Sequence, residues 1–158
     1  MLTAELAAKA RHYGGIERRL FEVLGGWAPA VPEPEVKVAL RVASFRHAWH
    51  AELWEGLVRA PVEAEAGDGA GGLVESLAAV LSTGKRLEAY YGDVLPRLVG
   101  EYEALWHRAE DDVAAGGPLR RVLSLVLADD RAELAAAAHG GPLESSEGHQ
   151  IDRADGGS

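Results

Sequence analysis

Cysteine is absent from this 158-residue chain, and 25 acidic residues outnumber 16 basic ones. The lack of cysteine excludes disulfides, thiolate metal ligands and thiol catalysis. The net charge of −9, with no basic cluster denser than the isolated pairs Arg18-Arg19 and Arg120-Arg121, argues against nucleic acid as a partner. No apolar run approaches the ~20 residues that span a bilayer, and the N-terminus lacks the basic-then-apolar order of a signal peptide. We therefore expect a cytoplasmic protein with no membrane and no nucleic-acid partner.

Apolar residues recur at helical spacing along four segments, and no segment shows the alternation typical of a strand. The predicted helices run from about Thr3 to Gly25, from Glu33-Pro34 to Ala60, from a Ser82-Thr83 cap to Ala115, and from Pro118 to Ala138. Pro96 is expected to kink the third helix or break it near Gly92. A glycine-rich crossover over 61–72 and a short helix over 73–81 separate the second and third helices. This pattern predicts an all-α four-helix bundle over 1–138, followed by a flexible polar tail over 139–158.

Six ionisable residues fall within the apolar stripes of these helices, all near mid-helix. The first and third helices each contribute one glutamate, and the second and fourth each contribute a pair at i and i+3. The six residues are Glu17, His47, His50, Glu101, Asp130 and Glu133. Buried ionisable groups are costly unless they are paired or bind a ligand. The pattern therefore predicts that these groups converge on a common site in the core.

The arrangement resembles the ferritin-like di-iron carboxylate proteins over roughly Thr3 to Ala138. Each pair in that family is Glu-x-x-His, whereas here the pairs are His47-x-x-His50 and Asp130-x-x-Glu133. The resemblance implies that the six residues are metal ligands for one or two ions of iron or manganese. It also implies oxygen- or peroxide-dependent oxidation of a small-molecule substrate, with His47, His50 and Glu17 as catalytic residues. Because both histidines lie on one helix, they could instead hold a single metal with one carboxylate, as a facial set.

A metal-free bundle is the alternative interpretation. His47 and His50 would then be hydrogen-bonded core histidines, and Arg46 would neutralise the inward carboxylates. Such a protein would bind a small ligand, carry out acid–base catalysis without a metal, or act as a dimeric interaction protein. This alternative predicts a direct contact between Arg46 and a carboxylate. Tyr13 or Tyr102 could donate a hydrogen bond into the site under either interpretation, whereas Tyr90 and Tyr91 are expected to be core or edge aromatics.

The second predicted helix also carries a second apolar row. Its residues are Val38, Val42, Phe45, Trp49 and Leu53. One bundle core does not need so wide an apolar surface. The row predicts either a homodimer interface centred on Phe45 and Trp49 or a surface covered by the crossover over 61–81.

Overall fold

The computed structural model describes residues 4–58, 70–80, 82–110 and 116–140. Its helices are α1 (Ala4–Trp27), α2 (Pro34–Glu55), α3 (Ala70–Ala78), α4 (Thr83–Ala89), α5 (Leu95–Glu110) and α6 (Gly116–Ala138). A 3₁₀ turn, Ala28–Ala30, follows α1, and a π-helical segment, Tyr90–Val94, joins α4 to α5. No strand occurs in these ranges, so the all-α prediction is confirmed. None of the described helices is long and apolar enough to cross a membrane.

The first two helices end at different residues from those predicted. Helix α1 continues past Gly25-Gly26 to Trp27, because glycine ends a helix mainly when it adopts a left-handed conformation. Among the described residues only Gly140 has a positive φ. Trp27 is instead buried in the core. Helix α2 ends at Glu55 rather than near Ala60, and residues 59–69 lie outside the described ranges.

The third predicted helix, which Pro96 was expected to kink or to break near Gly92, continues without a break but changes to π-helical winding at Tyr90–Val94. The chain passes from α4 through the π-helical segment, which contains Gly92, into α5, where Pro96 occupies the first turn. Proline is tolerated in a first turn because its missing N–H needs no intrahelical partner. Ser82 lies at the N-cap of α4 without a side-chain capping bond. The short crossover helix covers Ala70–Ala78 rather than 73–81, and the predicted tail lies outside the described residues beyond Gly140.

The helices pack as two main pairs around one core. Helix α1 lies along α2 and α5 lies along α6, while α2 also contacts α6. Helix α3 contacts α1, α5 and the π-helical segment. Helix α1 approaches α2 closely: a Cβ on Gly25 would lie 2.9 Å from Oγ of Ser44, and one on Gly14 would be in van der Waals contact with Trp54 at 3.4 Å. This close packing brings mid-α1 and mid-α2 side chains within hydrogen-bonding distance.

Candidate metal centre

Five of the six predicted site residues are buried. Glu17 comes from α1, His47 and His50 from α2, and Asp130 and Glu133 from α6. The first four are fully buried, and Glu133 is 9% exposed. Because each residue shares a helix face with apolar core residues, packing of that face carries the polar group inward.

Glu17 lies at the centre of the cluster. Nδ1–H of His47 donates to its Oε2 at 2.5 Å, and the Tyr102 hydroxyl donates to its Oε1. Nδ1 of His50 lies 3.5 Å from the same Oε1. Burial alone would raise the pKa of Glu17, but the charges of His47 and His50 outweigh it and lower the pKa to about 2. Glu17 is therefore an anion in the interior, held by donors from α2 and α5.

His50 is oriented by a second carboxylate. Its Nε2–H donates to Oδ2 of Asp129 at 3.1 Å, and Asp129 is itself partly exposed. Its Nδ1 points inward toward Glu17 and Asp130, without a hydrogen-bond partner among the described residues. Burial lowers the pKa of His50, but Glu17 and then Asp130 and Asp129 outweigh it and raise the pKa to about 9. A carboxylate on one ring nitrogen, with the other nitrogen facing further carboxylates, resembles the environment of a metal-binding histidine.

Asp130 is the least satisfied group of the cluster. Both of its carboxylate oxygens are buried, and neither has a hydrogen-bond partner in the described part of the chain. Burial and the charge of Glu17 raise its pKa to about 7. A buried polar group of this kind destabilises the fold by about 1–3 kcal/mol unless a proton or a ligand satisfies it.

Glu133 belongs to a second network that adjoins the first. Nε2 of His47 lies 2.7 Å from the Tyr90 hydroxyl. The hydroxyls of Tyr90 and Tyr91 both donate to Oε1 of Glu133 at 3.3 Å. Arg46 forms an ion pair with Oε2 of the same carboxylate. Burial, followed by the charge of Glu133, raises the pKa of Tyr90 well above its usual range, so it remains a neutral hydroxyl.

Tyr90 and Tyr91, which were expected to be core or edge aromatics, belong to this second network. Adjacent residues of a regular α-helix point about 100° apart, which argues against two neighbours reaching one oxygen atom. The π-helical winding over Tyr90–Val94 changes that geometry. The signal in the sequence was the pairing of Gly92 with Pro96, which predicts a kink or a break but not a change of winding.

Glu101 has a different environment from the one predicted. Its Oε1 accepts hydrogen bonds from the backbone N–H of Ala70 at 2.9 Å and from Arg97 at 3.0 Å. It therefore ties α5 to the beginning of α3 and does not join the group around Glu17. The reason is its place at the edge of the apolar stripe of α5: Tyr102, one residue further on, lies at the centre of that stripe and reaches Glu17.

Glu17, His47 and His50 form a group that could hold a metal ion. Each offers one ligand atom, and these atoms lie within 4.8 Å of one another. Imidazole and carboxylate ligands suit iron, manganese or zinc. The predicted contact between Arg46 and a carboxylate is also present, at Glu133. In comparisons with known proteins, no protein-family model, curated protein or solved structure matches this chain.

Proposed function

We propose that this protein binds one divalent metal ion, iron or manganese, at Glu17, His47 and His50. Asp130 is the additional carboxylate of this site. The observation that carries the proposal is the pair of unsatisfied groups at the centre of the core, His50 Nδ1 and the Asp130 carboxylate. A cation bound between them and Glu17 would satisfy all three.

The spacing of the ligand atoms supports this proposal. Two nitrogen or oxygen ligands that share an ion at about 2.1 Å lie about 3–3.5 Å apart. His50 Nδ1 lies 3.5 Å from Glu17 Oε1 and 3.7 Å from Asp130 Oδ1, close to that spacing. His47 is already hydrogen-bonded to Glu17 at 2.5 Å, and it would exchange that bond for the ion.

The ligand count favours one ion over two. Glu101 is engaged by Arg97 and the α3 backbone, and Glu133 by Arg46 and two tyrosines. Two of the six residues that the ferritin-like resemblance suggests as ligands therefore have other partners. The remaining four residues, two histidines and two carboxylates, form a donor set for one ion that leaves coordination positions open for further ligands.

We further propose that α1, α2, the α4–α5 unit and α6 form a divergent ferritin-like four-helix bundle, and that the site serves oxygen- or peroxide-dependent oxidation of a small molecule. A bound iron or manganese ion would supply oxygen activation and Lewis acidity. The chain would contribute a dry interior, an anionic Glu17 held by Tyr102, and a His50 ring fixed by Asp129. This environment strengthens charge interactions because water is excluded.

Metal analysis tests the proposal directly. The protein is purified without chelator, its metal content is measured by mass spectrometry, and the metal-free form is titrated with Mn²⁺ and anaerobic Fe²⁺. We expect one ion per chain, and at least 100-fold weaker binding after His50→Ala. His107→Ala, an exposed histidine on α5, is the matched control. A protein that contains no metal and binds neither ion would overturn the proposal.

The Arg46–Glu133 ion pair favours a second candidate, a metal-free bundle that binds a small ligand or performs acid–base chemistry at His47 and His50. In this candidate the positive charge of Arg46 and of protonated His50 balances the buried carboxylates. It predicts that a chelator leaves the Tm of the purified protein unchanged. A metal-bound site would instead lose stability on chelation, by RT ln(1 + [L]/Kd).

A further inference from the structure

One face of α2 exposes four large apolar side chains. The exposed fractions are 62% for Val38, 50% for Val42, 64% for Phe45 and 49% for Trp49. We call these four residues the α2 stripe. Their spacing of four, three and four residues places them on one line along the helix. Such a row on one helix exceeds the singly scattered apolar residues that a monomer surface normally carries.

A shallow groove lies on each side of the α2 stripe. The groove between α2 and α6, of about 370 Å³, is lined by Val38 and Val42 and has Arg46, Tyr91 and Glu133 among its other lining residues. The groove between α1 and α2, of about 470 Å³, is lined by Phe45 among other residues. A ridge flanked by grooves is a self-complementary shape, because the ridge of one molecule can enter a groove of another.

The crossover that could have covered the stripe packs elsewhere in its described part. Helix α3 contacts α1, α5 and the π-helical segment. The described portion of the crossover thus lies against the other side of the core.

We propose that the α2 stripe is a homodimer interface, in which α2 of a second copy packs antiparallel to it about a twofold axis. The size pattern supports this orientation. Small side chains, Val38 and Val42, occupy the first half of the stripe, and large ones, Phe45 and Trp49, occupy the second half. Antiparallel pairing sets Val38 opposite Trp49 and Val42 opposite Phe45, so that large side chains meet small ones. Parallel pairing would set Trp49 against Trp49 and leave the valines apart.

Charge at the border of the stripe supports the same orientation. Lys37 and Glu52 lie on the same side of the stripe, before its first residue and after its last. A twofold axis near the middle of the stripe brings Lys37 of each copy beside Glu52 of the other. Parallel packing would instead place Lys37 and Glu52 at opposite ends of the contact, where they could not pair.

The size of the face fits a stable dimer. A helix of 22 residues, such as α2, is about 33 Å long. A contact of that length that also fills the two grooves can bury the ~800 Å² per partner of a standard interface. In this arrangement Phe45 and Trp49 of one copy cover the groove between α2 and α6 of the other, which Arg46 and Glu133 line. The dimer would therefore shield from solvent the side of the core that holds these two residues.

Sedimentation of purified full-length protein tests the interface. We expect a dimer at micromolar concentration, and a rise of Kd on the order of 100-fold for Phe45→Glu or Trp49→Glu. Leu125→Glu is the control, since Leu125 is an exposed apolar residue of α6 outside the stripe. Circular dichroism establishes that each variant is folded. A wild-type protein that is monomeric at 100-fold higher concentration would overturn the proposal, whichever metal it contains.

Cysteine cross-linking tests the orientation, because the chain has no cysteine of its own. Val38→Cys and Trp49→Cys variants are mixed and oxidised, and the disulfides are identified by mass spectrometry. Antiparallel packing predicts the mixed 38–49 disulfide as the main product. Predominant 38–38 and 49–49 disulfides would exclude it.

Discussion

Nδ1 of His50 lies 3.7 Å from Oδ1 of Asp130, and neither atom has a hydrogen-bond partner within the described ranges. The two groups face each other beside the ionised Glu17, in a part of the core where water is excluded. A proton on His50 or Asp130 lowers part of the energetic cost of burying these unpaired groups, and a metal ion bound between them would remove the rest. Proton and metal are therefore expected to compete for the same position.

Replacing Asp130 by asparagine separates the effect of its buried charge on stability from the effect of its oxygen on metal binding. Asp130→Asn removes a buried charge that Glu17 disfavours, so we expect the Tm of the metal-free protein at pH 8 to stay the same or rise. The same change removes a ligand oxygen, so Mn²⁺ affinity is expected to fall at least tenfold. Thermal unfolding and calorimetric titration measure the two effects. Asp93→Asn, an exposed aspartate, is the control, and a large loss of stability at unchanged metal affinity would contradict the prediction.

The stability of the metal-free protein should decrease as the pH rises. The pKa of His50 is raised from 6.5 to about 9 in the folded state, so its stabilising protonation is complete below about pH 6.5 and is lost as the pH rises through 9. The pKa of Asp130 is raised from 3.8 to about 7. Its stabilising protonation is complete below about pH 4 and is lost as the pH rises through 7.

Between pH 6.5 and 9 the raised pKa of His50 corresponds to a loss of about 3 kcal/mol in the free energy of unfolding, or roughly 5–10 °C in Tm. Scanning calorimetry of chelator-treated protein from pH 6 to 9.5 measures this decrease. His50→Gln should flatten the curve, and the exposed-site variant His107→Gln should leave it unchanged. A Tm that rises with pH in the wild type would show that His50 is not protonated in the folded protein.

The Arg46–Glu133 pair should behave as a buried ion pair. The side chains are 24% and 7% exposed, and removing one partner of such a pair typically destabilises by about 3–5 kcal/mol. We expect Arg46→Met to destabilise by somewhat less, since Tyr90 and Tyr91 still donate to Glu133. The double variant Arg46→Met with Glu133→Gln should recover part of the loss. Urea unfolding of the wild type, the two single variants and the double variant gives the coupling energy between the two residues. Purely additive effects would contradict an ion pair.

The packing of α1 on α2 can be tested with two adjacent glycines. A Cβ on Gly25 would lie 2.9 Å from the Ser44 hydroxyl, which donates to the Phe21 carbonyl, whereas a Cβ on Gly26 meets nothing within 4 Å. We expect Gly25→Ala to destabilise by about 1–3 kcal/mol and Gly26→Ala to stabilise by about 0.5–1 kcal/mol. Chemical unfolding measures both. Equal effects of the two substitutions would mean that α1 and α2 do not approach closely here.

The sequence predicted helices and buried polar residues well because both depend on periodicity. An apolar stripe determines which face of a helix turns inward, and Glu17, His47, His50, Asp130 and Glu133 lie within such stripes. The same argument is weak at the edge of a stripe, where a rotation of a few tens of degrees decides burial. Glu101 lies at such an edge, and its contacts with Arg97 and the α3 backbone depend on tertiary packing that periodicity does not contain.

The local winding of the helices is the second feature that the sequence does not predict. Helix α1 continues through Gly25-Gly26 to Trp27, which is buried in the core, although glycine pairs commonly end helices. Two consecutive tyrosines of the π-helical segment likewise donate to one carboxylate, which the regular α-helical period does not predict. Each of these features is set by which contacts the folded core can complete, and not by the propensity of the residues involved.

Tyr90 and Tyr91 allow a direct comparison of two adjacent hydroxyls. Tyr90 lies between His47 Nε2, at 2.7 Å, and Glu133, at 3.3 Å, whereas Tyr91 contacts Glu133. Tyr90→Phe leaves a buried ring nitrogen without its partner, so we expect a loss of about 1–3 kcal/mol. Tyr91→Phe leaves Glu133 with Tyr90 and Arg46, so the expected loss is at most about 1 kcal/mol. Urea unfolding compares the variants, and the histidine ring ¹⁵N spectrum should change for His47 only in Tyr90→Phe. Equal losses and unchanged spectra would mean that His47 does not depend on the Tyr90 hydroxyl.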